Sequence, residues 1–240
     1  MRASLSIAVA QPLTIPHNVA HNVERHADSI RSTHARIVVF PEMSLTGYEF
    51  DAEPIDPSDE RLTPLIEAAR ESDAIALAGA PVPVAGGDKS IGMIAVDQTG
   101  ASVVYRKMWL GAAELEVFIP GTEPVAIDVD GWRLGLAVCK DTGIPEHAAA
   151  TAALGIDVYL AGVLERAEDR DVQPNRAMRI TADHGMWFAV ASYAGTAGEG
   201  FDGAAGESTI WRPDGTIAAR AGVTPGEVVS VAIENVKRET

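Results

Sequence analysis

The residue best suited to covalent chemistry is Cys139, the single cysteine among 240 residues. It directly follows an apolar stretch, Leu134–Val138, that is typical of a buried strand, and it precedes a helix expected to start near Pro145. A thiol at such a junction is exposed at the sheet edge. There the helix N-terminus lowers its pKa, and backbone N–H groups can bind an oxyanion. A buried structural cysteine is the alternative, and position alone does not decide between the two.

Two charged residues also follow predicted strands. Glu42 comes directly after Ile37–Phe40 and Pro41, and Lys107 comes after Ser102–Arg106. Catalytic groups of α/β proteins gather at strand ends, and burial there raises the pKa of a glutamate towards that of a useful general base. For either residue alone, a salt bridge at the rim or an exposed side chain is the simpler interpretation.

Other catalytic arrangements have less support in the sequence. The sequence allows a Cys–His pair, but no histidine lies in a context that singles it out as the partner of Cys139. No G-x-S-x-G motif indicates a serine nucleophile. His17 and His21 share one helix face at a spacing that could hold a metal, yet no glutamate sits where an H-E-x-x-H motif needs it. The sequence therefore predicts no metal site.

The elements that must position these residues alternate between strands and helices. The predicted strands are Leu5–Ala10, Ile37–Phe40, Ala74–Pro81, Ile91–Val96, Ser102–Arg106, Val125–Asp128, Trp132–Val138, Asp157–Leu160, Trp187–Ser192, Ser208–Arg212, Thr216–Ala219 and Val228–Ile233. The predicted helices are Asn18–Thr33, Leu62–Ser72, Pro145–Leu154 and Asp171–His184. Residues 195–206 form a Gly/Ala-rich loop. This order predicts a single α/β domain over residues 1–240, with mixed sheets and helices outside.

Composition excludes several classes of protein. With 19 Lys+Arg against 34 Asp+Glu the net charge is −15, which argues against a nucleic-acid partner. A hydrophobic fraction of 47% argues against disorder. One cysteine excludes an internal disulfide framework and a cysteine-cluster metal site. No apolar run is long enough for a signal core or a membrane span, so we expect a cytoplasmic protein with no membrane partner.

Three segments resemble, in order and approximate spacing, the glutamate, lysine and cysteine motifs of the nitrilase superfamily, the carbon–nitrogen hydrolases. They are Val38–Tyr48 around Glu42, Tyr105–Leu110 around Lys107, and Gly135–Asp141 followed by Pro145-Glu146 around Cys139. Each motif alone is modest, whereas the ordered set is strong. Ile7–Gln11 and Ser208–Gly215 resemble the first strand and the late strand-turn segment of the family, so the resemblance covers nearly the whole chain.

The resemblance also reaches a second glutamate. Glu114, four residues before Phe118, matches its register, and Glu116 is a competing candidate. The chain departs from the family pattern at Asp183-His184, where a Glu-Asn pair is common, and at Ser192, where an asparagine is common.

The resemblance implies a four-layer α-β-β-α sandwich of two mixed sheets, and commonly a homodimer or a larger homo-oligomer. It also implies amide hydrolysis in which Glu42 removes a proton from Cys139 and the thiolate attacks the carbonyl carbon. Lys107 and a backbone N–H near Lys140 would then stabilise the oxyanion, and Glu114 would position Lys107 or the substrate. This chemistry needs no metal and no organic cofactor.

The substrate is less well defined by the sequence. A small carboxamide is the first hypothesis. A nitrile or an N-carbamoyl amide is an alternative, because its hydrolysis uses the same triad of Glu42, Lys107 and Cys139. A hypothesis of a different class is a non-catalytic binding protein on the same fold. Candidate substrate-binding residues lie beside the motifs or at a strand end: Tyr48, Trp109, Lys140 and Val163. Arg176 and Arg179 are candidates for binding a substrate carboxylate.

Overall fold

The computed structural model describes residues 2–234. Its strands, in chain order, are β1 (Leu5–Gln11), β2 (Ile37–Val39), β3 (Ile75–Pro83), β4 (Lys89–Asp97), β5 (Gly100–Arg106), β6 (Ala126–Val129), β7 (Trp132–Val138), β8 (Val158–Val163), β9 (Trp187–Ser192), β10 (Ala194–Gly195), β11 (Ala204–Ala205), β12 (Thr209–Trp211), β13 (Ile217–Arg220) and β14 (Glu227–Ile233). Its helices are α1 (Val19–Thr33), α2 (Thr63–Ser72), α3 (Pro145–Ala152) and α4 (Val172–His184).

Two six-stranded mixed sheets carry the architecture. The first has the order β14-β1-β2-β3-β4-β5, with β1, β2 and β3 parallel. The second has the order β13-β12-β9-β8-β7-β6, with β7, β8 and β9 parallel. Within the Gly/Ala-rich loop predicted at residues 195–206, the structure adds a short antiparallel ladder of β10 with β11.

The strands alternate their apolar side chains between two layers of core. In β1, Ile7 and Val9 belong to the core between the sheets, whereas Ala8 and Ala10 pack with side chains of α1 and α2. A third apolar cluster packs the outer face of the second sheet against α3 and α4. The central strands β1–β3 and β7–β9 are almost entirely buried on both faces, which is why their sequences are nearly continuous apolar runs. The four-layer sandwich predicted from the resemblance is confirmed.

The predicted elements agree closely with the observed ones. The predicted strands Val125–Asp128 and Trp132–Val138 correspond to β6 and β7, which form a hairpin around Asp130-Gly131 with both turn residues at positive φ. Asn18, predicted as the first helical residue, instead caps α1, and its side chain accepts a hydrogen bond from the His21 amide. No helix within residues 2–234 is long and apolar enough to span a membrane.

The strand directions bring three chemical groups towards each other. Because β4 is antiparallel to both β3 and β5, β5 runs in the same direction as β2 and β3. Glu42 and Lys107 therefore leave the first sheet at the same edge. Cys139 leaves the second sheet directly after β7, so the two sheets supply opposite sides of one site.

Gly162 marks a close approach of the two sheets beside this site. A Cβ added to Gly162 would collide with the Phe40 carbonyl oxygen and lie 3.0 Å from the Glu42 nitrogen. Glycine is needed here for space, because a side chain at position 162 would push the Glu42 segment away from the second sheet.

Candidate active site

Lys107 lies at the centre of the site, with its ammonium held between two carboxylates. Its Nζ is 2.7 Å from Oε1 of Glu42 and 2.6 Å and 2.9 Å from Oε1 and Oε2 of Glu114. The lysine is 2% exposed. Burial acts to lower its pKa, but the charges of Glu42, Cys139 and Glu114 raise that pKa well above the ordinary value. Lys107 is therefore a fixed positive charge.

Glu114 holds Lys107 and is itself held on several sides. One of its oxygens accepts a hydrogen bond from the Tyr48 hydroxyl at 2.6 Å, and the other accepts from the Gly111 amide. Burial opposes ionisation, but Lys107 and these hydrogen bonds keep the pKa of Glu114 below its usual value. The competing candidate Glu116 is exposed. The second carboxylate of the site is thus Glu114.

Glu42 has one oxygen committed and one oxygen unused. Oε1 accepts from Lys107, while Oε2 is buried without a hydrogen-bond partner among residues 2–234. Burial raises the pKa of Glu42 to about 7 despite the neighbouring Lys107. A carboxyl group with a free oxygen and a pKa near neutrality can both accept and return a proton.

Cys139 begins a short 3-10 turn, Cys139–Gly143, between β7 and α3. Its φ of 44° lies in the left-handed region that non-glycine residues rarely occupy. The thiol lies 3.5 Å from the carbonyl oxygen of Leu164, to which it donates, and the residue remains partly exposed. The strained turn directs sulfur out of the strand end.

The sequence-based expectation of a lowered thiol pKa does not hold for this structure. Burial and the charge of Glu42 raise the pKa of Cys139 well above its usual value, and the opposing effect of Lys107 is smaller. Helix α3 begins only at Pro145, after the 3-10 turn, so its N-terminus does not dominate the electrostatics of the thiol. The resting sulfur is a thiol, and it needs a base to become a nucleophile.

Asp141 connects the lysine segment to the cysteine turn. Its carboxylate accepts from the Trp109 amide at 2.9 Å, the Val138 amide at 2.9 Å and the Tyr105 hydroxyl at 2.7 Å. These contacts join the end of β5 to the end of β7. The distance between Lys107 and Cys139 is therefore fixed by a buried polar bridge as well as by apolar packing.

A cavity of about 360 Å³ opens onto the site. Lys107, Glu114 and Cys139 line it with two polar neighbours, Tyr48 and Lys140. The rest of the wall is mainly apolar or backbone: Phe50, Gly111, Ala112, Ala113, Leu164 and Phe201, with Glu199 beside them. The volume suits a small molecule.

Two predicted substrate-binding residues lie elsewhere. Val163 is fully buried in β8, and its neighbour Leu164 lines the cavity instead. Trp109 is 41% exposed and does not line the cavity. Successive side chains at a strand end point to opposite faces, so either Val163 or Leu164 could face the cavity. The sequence alone does not show which of the two does.

Phe50 and Phe201 are wall residues that the sequence did not indicate. Each packs edge-on against Tyr48, with ring centroids 5.2 Å and 5.5 Å away respectively. Both lie in irregular segments that have no periodic signal. The one sequence feature that could have indicated Phe201 as a cavity residue is its position as an aromatic residue within a Gly/Ala-rich loop.

Neither predicted carboxylate-binding arginine lines the cavity. Arg176 and Arg179 both bind the Cys139–Gly143 turn from α4. For metals, the closest grouping of ligand types within residues 2–234 is His17 with Glu49 and Asp51, and none of these residues lines the cavity. His21 is not part of that group.

The chain belongs to the carbon–nitrogen hydrolase family, whose model matches residues 6–239. The predicted membership of the nitrilase superfamily is thereby confirmed, and the protein is a carbon–nitrogen hydrolase. Its curated relatives include "Hydrolase in pqqF 5'region" of Pseudomonas protegens, 28% identical, covering 94% of this chain and 82% of that one. Another is an (R)-stereoselective amidase of a Pseudomonas species, 26% identical over 74% of this chain and 72% of that enzyme.

Solved structures share the fold. An amidase of the nitrilase superfamily from Nesterenkonia AN1 superposes with a TM-score of 0.80 at 24% identity, covering 97% of this chain and 92% of that one. Nit3 of Saccharomyces cerevisiae, a member of branch 10 of the superfamily, superposes with a TM-score of 0.84 at 21% identity, covering 95% and 89%. A variant of the Nesterenkonia amidase carries the acetamide moiety of fluoroacetamide, covalently added at its active-site cysteine.

Proposed function

We propose that the protein is a cysteine-dependent hydrolase of a small-molecule carboxamide, which releases ammonia through a thioester acyl-enzyme. The observation that carries this proposal is a cavity of about 360 Å³ lined by the thiol of Cys139 and the buried ammonium of Lys107. Behind the cavity wall, that ammonium binds the carboxyl group of Glu42, which has one free oxygen. The amidases among the relatives are consistent with it.

Each step of the mechanism has a group suited to it. Glu42 takes the proton from the Cys139 thiol as sulfur attacks the amide carbon, and the oxyanion that forms faces Lys107 and a backbone N–H near Lys140. Glu42 then gives its proton to the departing nitrogen, so ammonia leaves and a thioester remains. Water, deprotonated by Glu42, attacks the thioester, and sulfur recovers the proton as the carboxylic acid forms.

The cavity wall favours a neutral acyl group. The ammonium of Lys107 is already paired with two carboxylates, and that of Lys140 donates to the Leu110 carbonyl at 2.6 Å. Phe50, Phe201 and Leu164 supply apolar surface. A substrate carboxylate would gain little from the paired ammonium of Lys107 and would meet Glu199.

An ammonia-release screen tests the proposal. We expect the highest kcat/KM with short neutral amides, and lower values for matched nitriles, N-carbamoyl amides and amides with a terminal carboxylate. Ammonia release from the nitrile or carbamoyl series alone would show that the substrate is a nitrile or an N-carbamoyl amide, hydrolysed by the same triad. No turnover together with a Cys139 that iodoacetamide does not alkylate would favour the binding-protein alternative. A cytoplasmic location and a homo-oligomeric state stay predictions.

The pH profile follows from Glu42. Because the base must be ionised and burial raises its pKa to about 7, we expect kcat/KM to rise about tenfold per pH unit below 7 and to level off above it. Glu42→Gln keeps the shape but removes the proton acceptor, so its rate should fall by about 10²- to 10⁴-fold. A wild-type profile that is flat between pH 5 and 7 would contradict this role.

A further inference from the structure

The cysteine turn needs support from outside itself. Cys139 adopts a φ of 44°, a strained conformation for a non-glycine residue that persists only when its surroundings impose it. Within the turn, the Thr142 hydroxyl donates to the Cys139 carbonyl at 2.7 Å. Asp141 ties the turn to the lysine segment, and further support comes from α4.

Arg176 of α4 reaches into this turn. Its Nη1 lies 3.0 Å from the Thr142 hydroxyl oxygen and 3.4 Å from the carbonyl oxygen of Cys139. The same nitrogen lies 3.0 Å from Oε1 of Glu165, two residues after the end of β8. One guanidinium therefore joins the carbonyl of the thiol-bearing residue to a carboxylate on the neighbouring strand end.

The sequence leaves space for this guanidinium at Gly143. A Cβ added to Gly143 would lie 3.1 Å from Cζ and Nη2 of Arg176 and 3.2 Å from its Nε. Any larger residue would displace the arginine or the turn. The backbone of Gly143 is not in the left-handed region, so its lack of a side chain is what matters here.

Glu165 is in turn fixed from two sides. Its Oε1 also accepts from the Gln173 side chain at 2.8 Å, and its backbone carbonyl accepts from the Ala205 amide at 2.9 Å. It directly follows Leu164, whose carbonyl oxygen accepts the hydrogen bond from the Cys139 thiol. The side chains of Arg176 and Glu165 are only 21% and 15% exposed, so their pairing is shielded from water.

We propose that Arg176 is a positioning residue for the nucleophile: its guanidinium, anchored by Glu165, holds the Cys139–Gly143 turn in the conformation that presents sulfur to the cavity. The proposal rests on Cys139 being the nucleophile. Arg176 does not line the active-site cavity, so it acts through the main chain of Cys139 and through Thr142.

Arg179 provides a matched control on the same helix. It also donates to the turn, at 2.7 Å to the Thr142 carbonyl and 3.4 Å to the Gly143 carbonyl, but not to Cys139. Within residues 2–234, Arg179 itself makes no hydrogen bond or ion pair with Glu165. Removing Arg179 tests general loss of a hydrogen bond to the turn.

The test compares Arg176→Ala, Glu165→Gln, their double variant and Arg179→Ala. We expect Arg176→Ala to lower kcat about 30- to 100-fold with KM within about threefold, because small misplacements of a reacting atom have effects of this size. Iodoacetamide should alkylate its Cys139 about tenfold more slowly, and millimolar guanidinium should restore part of kcat. Arg179→Ala should lower Tm, change kcat by less than about threefold and not respond to guanidinium.

The double variant shows whether Glu165 acts through Arg176. If it does, the combination is no slower than Arg176→Ala alone, since the two losses are not additive. Losses that multiply, or a folded Arg176→Ala with wild-type kcat and alkylation, would overturn the proposal. If Arg176→Ala does not fold, Arg176→Lys keeps the charge but cannot bridge the acceptors, and it should still lose about tenfold in kcat. Wild-type kcat in a folded Arg176→Lys would then overturn the proposal. Alkylation is measured without turnover, so the alkylation outcomes test the positioning role even if the proposed hydrolysis is wrong, whereas the kcat outcomes test both together.

Discussion

Replacing Cys139 by alanine will lower the rate of amide hydrolysis by about 10⁴-fold or more, because no other group can form the thioester. The residue is partly exposed and its thiol makes one hydrogen bond, to the Leu164 carbonyl, so its removal should change the unfolding free energy little. Ammonia release with a short neutral amide measures the loss, and urea unfolding verifies the fold.

The chain offers an internal control for this variant. Because Cys139 is the only cysteine, mass spectrometry after iodoacetamide must show one adduct in the wild type and none in Cys139→Ala. Cys139→Ser keeps a hydrogen-bonding group of similar shape and should be nearly as inactive, since a hydroxyl at this site is a far weaker nucleophile. Substantial hydrolysis by Cys139→Ala would disprove the thioester mechanism.

Replacing Lys107 by methionine should damage both stability and catalysis. Methionine fills similar space but leaves the buried carboxylates of Glu42 and Glu114 without their shared cation, a loss of about 3–5 kcal/mol for a buried pair. The missing oxyanion partner should lower kcat by about 10²- to 10³-fold. Urea unfolding and steady-state kinetics measure the two effects.

The stability loss in Lys107→Met should depend on pH. Without the ammonium, the ionised carboxylates repel each other, so protonating Glu42 at lower pH relieves the destabilisation and narrows the gap to the wild type. Lys140→Met is the matched control, because Lys140 lines the same cavity but binds only the Leu110 carbonyl, and its stability should change by less than about 1 kcal/mol. Equal stability of Lys107→Met and the wild type at pH 8 would contradict the assigned ion-pair arrangement.

Much of the site could be predicted because strand ends are visible in a sequence. Glu42, Lys107 and Cys139 each follow a run of apolar residues, and the order of strands and helices requires those runs to lie in sheets. What the sequence did not show is how irregular segments meet. The approach of Phe50 and Phe201 to Tyr48 depends on loops from distant parts of the chain, and no local periodicity reports it.

Contacts between distant parts of the chain also explain why the sequence-based predictions about the thiol pKa and the two arginines are wrong. A pKa depends on burial and on neighbours that are remote in sequence, so the thiol of Cys139 could not be assessed from the helix that follows it. The sequence offers Arg176 and Arg179 as candidates for binding a substrate carboxylate, because it does not show which groups they contact. Their partners are backbone and hydroxyl groups of the cysteine turn and the carboxylate of Glu165, which the tertiary fold alone brings together.

The close contact at Gly162 shows how closely the two sheets are packed beside the active site. Glu42 and Lys107 follow strands of one sheet and Cys139 follows a strand of the other. In the proposed mechanism, the distance for proton transfer from Cys139 to Glu42 therefore depends on how the side chains packed between the sheets space the two sheets. We expect that a change in the volume of a residue in that layer, such as Leu136 or Leu160, changes turnover even though the residue does not line the cavity.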